Sequence, residues 1–330
     1  IITGAFLLMM PAASVGSGHL DFLTALFTAA SAVCVTGLSV IDAAAELTTV
    51  GKVILLLLIQ IGGLGIMVFS FFGMLAFRRK LSIAEKLTVS YMVSAENMSG
   101  LFKALRVMVV STFFIEAASA GFLFFGFSRT MGMSAGTLGF AAFHAVSAFC
   151  NAGFALFSNN LESFTGDPII SLTISMTIIL GGIGFAVISD VARKIKIGTG
   201  NLFTKKKVPA YLLPLNTQIV LAMTAGALFI SFAGFYLLEH AHTMKDFSLG
   251  EQYLAAFFQA VTLRTAGFST VSFASLTNAT LLLMIFVMFV GGASGSTAGG
   301  VKLNTVAVVV AFFRSFLHND RTVVIKKMSI

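Results

Sequence analysis

The sequence predicts an all-α polytopic membrane protein built from parallel helix, pore-loop, helix repeats around a central pore. Three observations carry that expectation: the chain is overwhelmingly apolar, its positive charges are confined to a few segments, and one short motif recurs three times at nearly constant spacing.

Hydrophobic residues make up 57% of the 330 positions and charged ones 10%, and the mean hydropathy is +0.98. That balance lies outside the range of soluble globular chains. The stretches Val53 to Ala76, Leu101 to Phe127, Pro168 to Val191 and Leu215 to Leu238 each read as a helix long enough to cross roughly 30 Å of hydrocarbon. Between them lie apolar segments of about 14 residues, too short to span, which read as helices that enter the membrane and return. The run from Ile1 to Pro11 reads as the tail of a span whose start is missing. It has neither the basic leader nor the cleavage site of a signal peptide.

The net charge of +8 would suit nucleic acid or acidic lipid if it were spread over a surface, but the 21 Lys and Arg are segregated. Six fall between Arg78 and Arg106, six between Arg193 and Lys207, and five from Lys302 onward. Basic loops stay in the cytoplasm, which predicts a multi-pass protein of the plasma (inner) membrane with these segments inside. The intervening loops carry Asp21, Asp42, Glu46, Glu162, Asp167, Glu239, Asp246 and Glu251, so the short segments dip in from an acidic outer side. An acidic mouth suits a path for cations. Topology alone could also sort the charges this way.

The repeat is legible in FTAASAVCVTGLSV (Phe27 to Val40), FHAVSAFCNAGFALF (Phe143 to Phe157) and FQAVTLRTAGFSTV (Phe258 to Val271). Each opens Phe-x-Ala, places Ser or Thr two residues after that Ala, and ends in Gly followed by Leu or Phe. The Ala to Gly spacing is eight residues in the first two copies and seven in the third. Each motif is followed 25, 28 or 24 residues later by a glycine cluster, at Gly62-Gly63-Leu64-Gly65, Gly181-Gly182-Ile183-Gly184 and Gly291-Gly292-Ala293-Ser294-Gly295. Gly37, Gly153 and Gly267 are 116 and 114 residues apart. The expected divisions are residues 1–78 for repeat 1 with a truncated first span, 79–198 for repeat 2, and 199–330 for repeat 3. Basic loops flank every copy, so all three share one orientation and place equivalent residues in a ring.

A dehydrated cation crossing a membrane needs oxygen ligands in place of its water, and rings of backbone carbonyls from re-entrant loops supply them. Pointing successive carbonyls inward needs unusual dihedrals, which glycine tolerates. Cys34-Val35-Thr36-Gly37, Cys150-Asn151-Ala152-Gly153 and Thr265-Ala266-Gly267 are therefore the candidate filter segments. A single such glycine could equally end a short helix as its cap. Three at matched positions favour the filter.

These motifs, ASAVCVTGLSV, AVSAFCNAGF, TLRTAGF and GGASGSTAGGVK, make the sequence similar to the Trk/Ktr/HKT superfamily of potassium transporters, in particular its Ktr-type membrane subunits. That resemblance implies four repeats around a pseudo-fourfold pore, with potassium as substrate held by carbonyls near Val35, Thr36, Asn151, Ala152, Thr265 and Ala266. It also implies modulation by sodium, a homodimer with one pore per subunit, and a separate cytosolic nucleotide-binding ring as regulatory partner. In plant relatives a serine in place of the first-repeat glycine accompanies sodium preference, and Gly37 is the potassium-type residue. The fourth filter motif is missing from this sequence, so the chain is expected to be incomplete.

Gly291, Gly292, Ala293, Ser294, Gly295, Ser296, Thr297, Ala298, Gly299 and Gly300 fall where repeat 3 should have its second span. An uninterrupted helix there would cost about 1 kcal/mol per glycine relative to alanine, so the segment is expected to unwind and to face the pore, where freed backbone groups find partners. The family resemblance implies an intramembrane gate below the filter; a merely kinked packing site is the alternative. The segment is not a phosphate loop, because Val301 separates Gly300 from Lys302 and Leu303 follows. Covalent catalysis is not expected, nor a cofactor.

Cys34 and Cys150 read as packing residues three positions before their glycines. Arg264, inside the third pore segment, reads as a brace bonded to filter carbonyls or an acidic neighbour. Glu116 is an intramembrane carboxylate with either a functional or a packing role. The five histidines, His144 among them, show no metal-ligand spacing. Leu81 to Asn97 could form a surface helix that docks a soluble regulator or simply lies at the lipid interface. A proton- or sodium-coupled cation carrier, or a membrane scaffold whose glycines permit close helix packing, is the competing expectation.

Overall fold

The computed structural model describes residues 1–16, 20–77, 98–203, 211–318, 324–325 and 328–329. The segment Leu81 to Asn97 lies outside them. Eleven α-helices are described: α1 (Ile2–Leu8), α2 (Phe22–Val33), α3 (Thr49–Phe77), α4 (Met98–Met131), α5 (Ala135–Phe149), α6 (Pro168–Gly182), α7 (Phe185–Phe203), α8 (Leu215–Glu239), α9 (Leu249–Thr262), α10 (Asn278–Phe289) and α11 (Leu303–Leu317). A short antiparallel pair, Val324–Ile325 with Met328–Ser329, follows.

The 27 residues of Leu105–Met131 and the 25 of Leu215–Glu239 are long and apolar enough to cross a membrane. Phe114 on α4 and Phe229 on α8 are more than two-thirds exposed, as expected of side chains whose solvent is lipid. The short helices α2, α5 and α9 have 12, 15 and 14 residues, too few to span. Each starts at a capping side chain: Asp21 accepts from the Thr24 N–H, Ser134 from Thr137, and Ser248 forms a reciprocal capping box with Glu251.

Two expected spans are not single helices. Pro168 to Val191 is split into α6 and α7, bent by 107°, because Gly184 adopts φ +87 and the turn is occupied by residues of another segment. The Val53 to Ala76 stretch is interrupted within α3 at Gly65, with φ 73 and ψ 171. The last glycine of each cluster, Gly65, Gly184 and Gly295, has positive φ. The recurring cluster is thus a recurring break, at a place where a side chain would be strained.

Packing follows a rotation. α3 packs on α5 and α6 packs on α9, so the helix after one short helix lies against the short helix of the next repeat. Two hydrophobic cores form at these seams. One joins Ala25, Ala29, Leu55 and Ile59 to Phe143 and Phe154; the other joins Leu123, Ile170 and Ile174 to Phe258 and Phe268. At the far end of α8 the buried carboxylate of Glu239 accepts from the Thr277 N–H at 2.9 Å, the Thr277 hydroxyl at 2.8 Å, the Thr280 hydroxyl at 2.5 Å and the Thr243 hydroxyl at 2.6 Å. It thereby fastens the start of α10 to the end of α8.

Candidate functional site

The three short helices end in loops that share one backbone pattern. Val35, Asn151 and Thr265 have φ of 54, 57 and 63, and Gly37, Gly153 and Gly267, two residues on, have φ of 79, 71 and 85. Left-handed backbone at a non-glycine residue is uncommon and is disfavoured most for a β-branched one such as Val35. Each instance costs about 1–3 kcal/mol and persists only where the surroundings impose it. In an extended chain successive carbonyls point to opposite sides; reversing the sign of φ at every second residue turns them toward one side. That is what a row of oxygen ligands requires.

In the first two loops the glycine does not cap its helix. The Val35 N–H donates to Ala32 O and the Thr36 N–H to Ser31 O, and the Asn151 and Ala152 N–H groups donate likewise to Ala148 O and Ser147 O. These are Schellman closures with Val35 and Asn151 in the left-handed position, leaving Gly37 and Gly153 beyond the cap. In the third loop, one residue shorter, the Arg264 N–H donates to Val261 O and the Ala266 N–H to Thr262 O. The deletion is absorbed between helix and loop, and the φ pattern is preserved.

The loops meet. A Cβ on Gly37 would lie 2.5 Å from Ala152 O, and one on Gly153 would lie 2.6 Å from Ala266 O and 2.9 Å from the Gly267 Cα. Each glycine therefore faces the middle carbonyl of the next loop, the same relation twice. Beside these loops, a cavity of about 290 Å3 is lined by Gly37, Ser39, Asp42, Gly153, Ser158 and Asn160 among others. The segments that follow the second and third loops are stitched together there: the Leu161 N–H donates to Ser269 O at 2.9 Å and the Ser269 N–H to Asn160 Oδ1 at 3.1 Å.

On the opposite side lies the segment between α10 and α11, which is not helical. The Gly291 N–H donates to Val301 O, and the Val301 N–H to Phe289 O, closing it into a loop. This loop fills the turn between α6 and α7: the Ala293 N–H donates to Gly182 O, the Thr297 N–H to Gly181 O, and Gly295 O accepts from the Phe185 N–H. The Thr297 hydroxyl donates to Phe149 O at 2.8 Å, at the end of α5. The Gly299 N–H donates to Thr265 Oγ1 at 2.9 Å, and Lys302 Nζ to Ala298 O at 2.6 Å. The glycine-rich segment thus touches the third strained loop and the end of α5 that leads into the second.

The site residues expected from sequence fall unevenly. Val35, Thr36, Gly37, Asn151, Ala152, Gly153, Thr265, Ala266 and Gly267 are brought together as above. Cys150 is fully buried, its Sγ 2.2 Å from where a Cβ on Gly63 would stand. Cys34 is exposed in this structure. The Arg264 brace is corrected. Its side chain is 3% exposed, yet none of its three guanidinium nitrogens has a hydrogen-bond partner among the described residues. It stands beside Asn151, the two lying 3.9 and 3.6 Å from a Cβ built on Gly182. Glu116 is buried, and its Oε1 has no partner among the described residues.

Sequence reasoning passed over His144. It is fully buried; its Nδ1 is 2.7 Å from Phe140 O, and its Nε2 accepts from the Leu156 N–H at 3.3 Å. Nδ1 therefore carries the proton, and the neutral imidazole pins the chain three residues beyond Gly153. Its signal was the buried face of a short helix, which has no metal-ligand spacing.

Short re-entrant helices, strained loops that converge, and broken spans beneath them define a polytopic helical membrane protein of the cation-transport class. Residues 3–330 match the TrkH model, described as a cation transport protein, so the chain belongs to the TrkH family. It is 38% identical over 334 residues to Ktr system potassium uptake protein B of Vibrio alginolyticus, covering 100% of this chain and 70% of that protein. To the protein of the same name from Bacillus subtilis (strain 168) it is 35% identical over 332 residues, covering 100% and 71%. To the potassium/sodium uptake protein NtpJ of Enterococcus hirae it is 33% identical over 311 residues, covering 94% and 66%. The crystal structure of the potassium transporter TrkH from Vibrio parahaemolyticus shares the fold, with a TM-score of 0.64 at 19% identity, covering 94% of this chain and 60% of that one.

Proposed function

We propose that this chain is the ion-conducting part of a potassium-uptake transporter of the Ktr/Trk type. In this reading the carbonyls of residues 35–37, 151–153 and 265–267 replace the water around a potassium ion, and residues 291–300 control its passage. One observation carries the reading: three loops at repeat spacing hold the same strained φ pattern and face one another through glycine and carbonyl. A scaffold packed through glycines has no use for a left-handed Val35.

The residues divide the work by position. Asp42, in the cavity beside the loops, adds negative potential where the ion is still hydrated. The carbonyl rows exchange that water for fixed dipoles. Below them the glycine-rich loop, tied to Thr265 and to the end of α5, stands across the exit. Basic segments keep the inner side cytoplasmic in the plasma membrane. Like the Ktr relatives, which are named as parts of a system, this subunit works with partners: a second copy of itself and a cytosolic nucleotide-binding ring. Sodium modulates uptake, in keeping with the potassium/sodium relative.

The test is growth on low potassium and rubidium uptake in cells stripped of their own importers, comparing the intact parent gene with Gly153→Val. Rescue by the parent and loss of uptake in the variant, with both proteins present in the membrane, is the expected result. Equal uptake by both would overturn the reading.

A further inference from the structure

Several helix hydroxyls among the described residues bond a carbonyl of their own helix. Thr28 donates to Thr24 O, Thr177 to Thr173 O and Ser231 to Ala227 O, the ordinary i to i−4 bond. Ser147 and Thr262, near the ends of short helices, bond forward instead. Ser147 Oγ donates forward to Phe154 O at 2.8 Å, and Thr262 Oγ1 to Phe268 O at 2.7 Å. Both acceptors are the carbonyl immediately after the loop glycine.

The same two residues also hold the loops through their backbone. Ser147 O accepts from the Ala152 N–H at 2.8 Å, and Thr262 O from the Ala266 N–H at 3.0 Å. One residue therefore grips its loop at both ends, Ala152 to Phe154 in one case and Ala266 to Phe268 in the other. The grip is dry: Ser147 is fully buried and Thr262 4% exposed, while Phe154 and Phe268 are 3% and 0% exposed. A carbonyl tied back to the helix points away from the axis, which sets where the row of inward carbonyls stops.

The first loop differs. Ser31 O accepts from the Thr36 N–H at 2.8 Å, but Ser31 Oγ, although buried, has no partner among the described residues. The residue after Gly37 is Leu38, which is 62% exposed. Loop one is held at one end where loops two and three are held at both.

We propose that the side-chain hydroxyls of Ser147 and Thr262 are selectivity-determining positioning groups, which clamp the second and third loops while the first is left adaptable. This rests on the filter reading above. A clamp of this kind acts by fixing the spacing of oxygens: with the carbonyl released, the loop closes around a smaller ion as readily as a larger one, so discrimination falls while conduction continues.

The test uses the intact parent protein in importer-deficient cells, reading the sodium concentration that halves rubidium uptake, the maximal rubidium uptake rate, and the amount of protein in the membrane. Ser147→Cys and Thr262→Val keep side-chain volume and remove the strong donor; Ser147→Thr and Thr262→Ser restore it; Ser31→Ala is the comparison. The two donor-less variants should need about threefold to tenfold less sodium for half-inhibition, the range one hydrogen bond spans, at near-parental maximal rate. The restoring variants and Ser31→Ala should match the parent. Parental sodium sensitivity in Ser147→Cys and Thr262→Val would overturn the clamp and leave the filter reading standing, as would an equal loss in Ser31→Ala for the asymmetry. Failure of the parent itself to take up rubidium would remove the filter reading, and the clamp with it.

Discussion

Gly37 stands against Ala152 so closely that a single added methyl group would sit 2.5 Å from the Ala152 carbonyl oxygen. The backbone at Gly37 also has φ +79, where a Cβ is strained regardless of space. Overpacking costs typically about 1–3 kcal/mol, and about 1.4 kcal/mol is a tenfold change. Gly37→Ala should therefore lower rubidium uptake at least about fivefold. Gly121→Ala, where nothing lies within 4 Å, should leave it at the parental level, with both variants quantified in the membrane.

The glycine-rich loop is held to the end of α5 and to the third strained loop by two hydroxyls, Thr297 to Phe149 O and Thr265 accepting from Gly299. Thr297→Val and Thr265→Val keep the branched shape and remove one bond each. If the loop limits passage, losing a bond of about 0.5–1.5 kcal/mol should raise maximal rubidium uptake about twofold to tenfold. A lower or unchanged rate in both variants would show that these bonds do not hold the path closed.

Asp42 lines the cavity beside the loops. The Ser158 hydroxyl, with the Ala44 and Ala45 N–H groups, holds its carboxyl below the usual carboxylate range. A depressed value means the charge, and any stability it confers, is present above the unfolded value and is lost only as pH falls through the folded one. Nothing changes at Asp42 between pH 6 and 8. One unit charge acting through a water-like medium contributes about 1 kcal/mol or less, so Asp42→Asn should raise half-saturating potassium about twofold to fivefold at low ionic strength. The ratio to the parent should be equal at pH 6 and pH 8; a ratio that collapses at pH 6 would contradict this placement of the charge.

Glu239 is the acceptor for Thr243, Thr277 and Thr280. Each buried donor left unpaired costs about 1–3 kcal/mol, so Glu239→Leu should lower the unfolding temperature in detergent clearly more than Glu239→Gln, which keeps one acceptor oxygen. Equal melting of the two variants would show that the carboxylate does not fasten α10 to α8.

Much of this was legible in the sequence, for identifiable reasons. The short apolar segments and the recurring glycine clusters are one-dimensional signals, and they mark α2, α5 and α9 and the breaks at Gly65, Gly184 and Gly295. The left-handed Val35 and Thr265 were not legible, because β-branched residues disfavour that conformation and only the surrounding packing imposes it on them. The 107° bend between α6 and α7 depends on a loop more than a hundred residues away, which hydropathy cannot register. Arg264 was expected to find carbonyls, yet its guanidinium is buried with no hydrogen-bond partner among the described residues, an outcome that side-chain type and position in the repeat do not encode.

The most direct measurement is the ratio of potassium to sodium uptake by the intact parent protein and its Gly37→Ser variant, in cells without other potassium importers. A filter whose first loop turns at Gly37 and meets Ala152 loses potassium preference on that change while still admitting sodium. An unaltered ratio with normal uptake would mean that the ion does not pass the Gly37 carbonyls, and the pore would have to lie elsewhere in the fold.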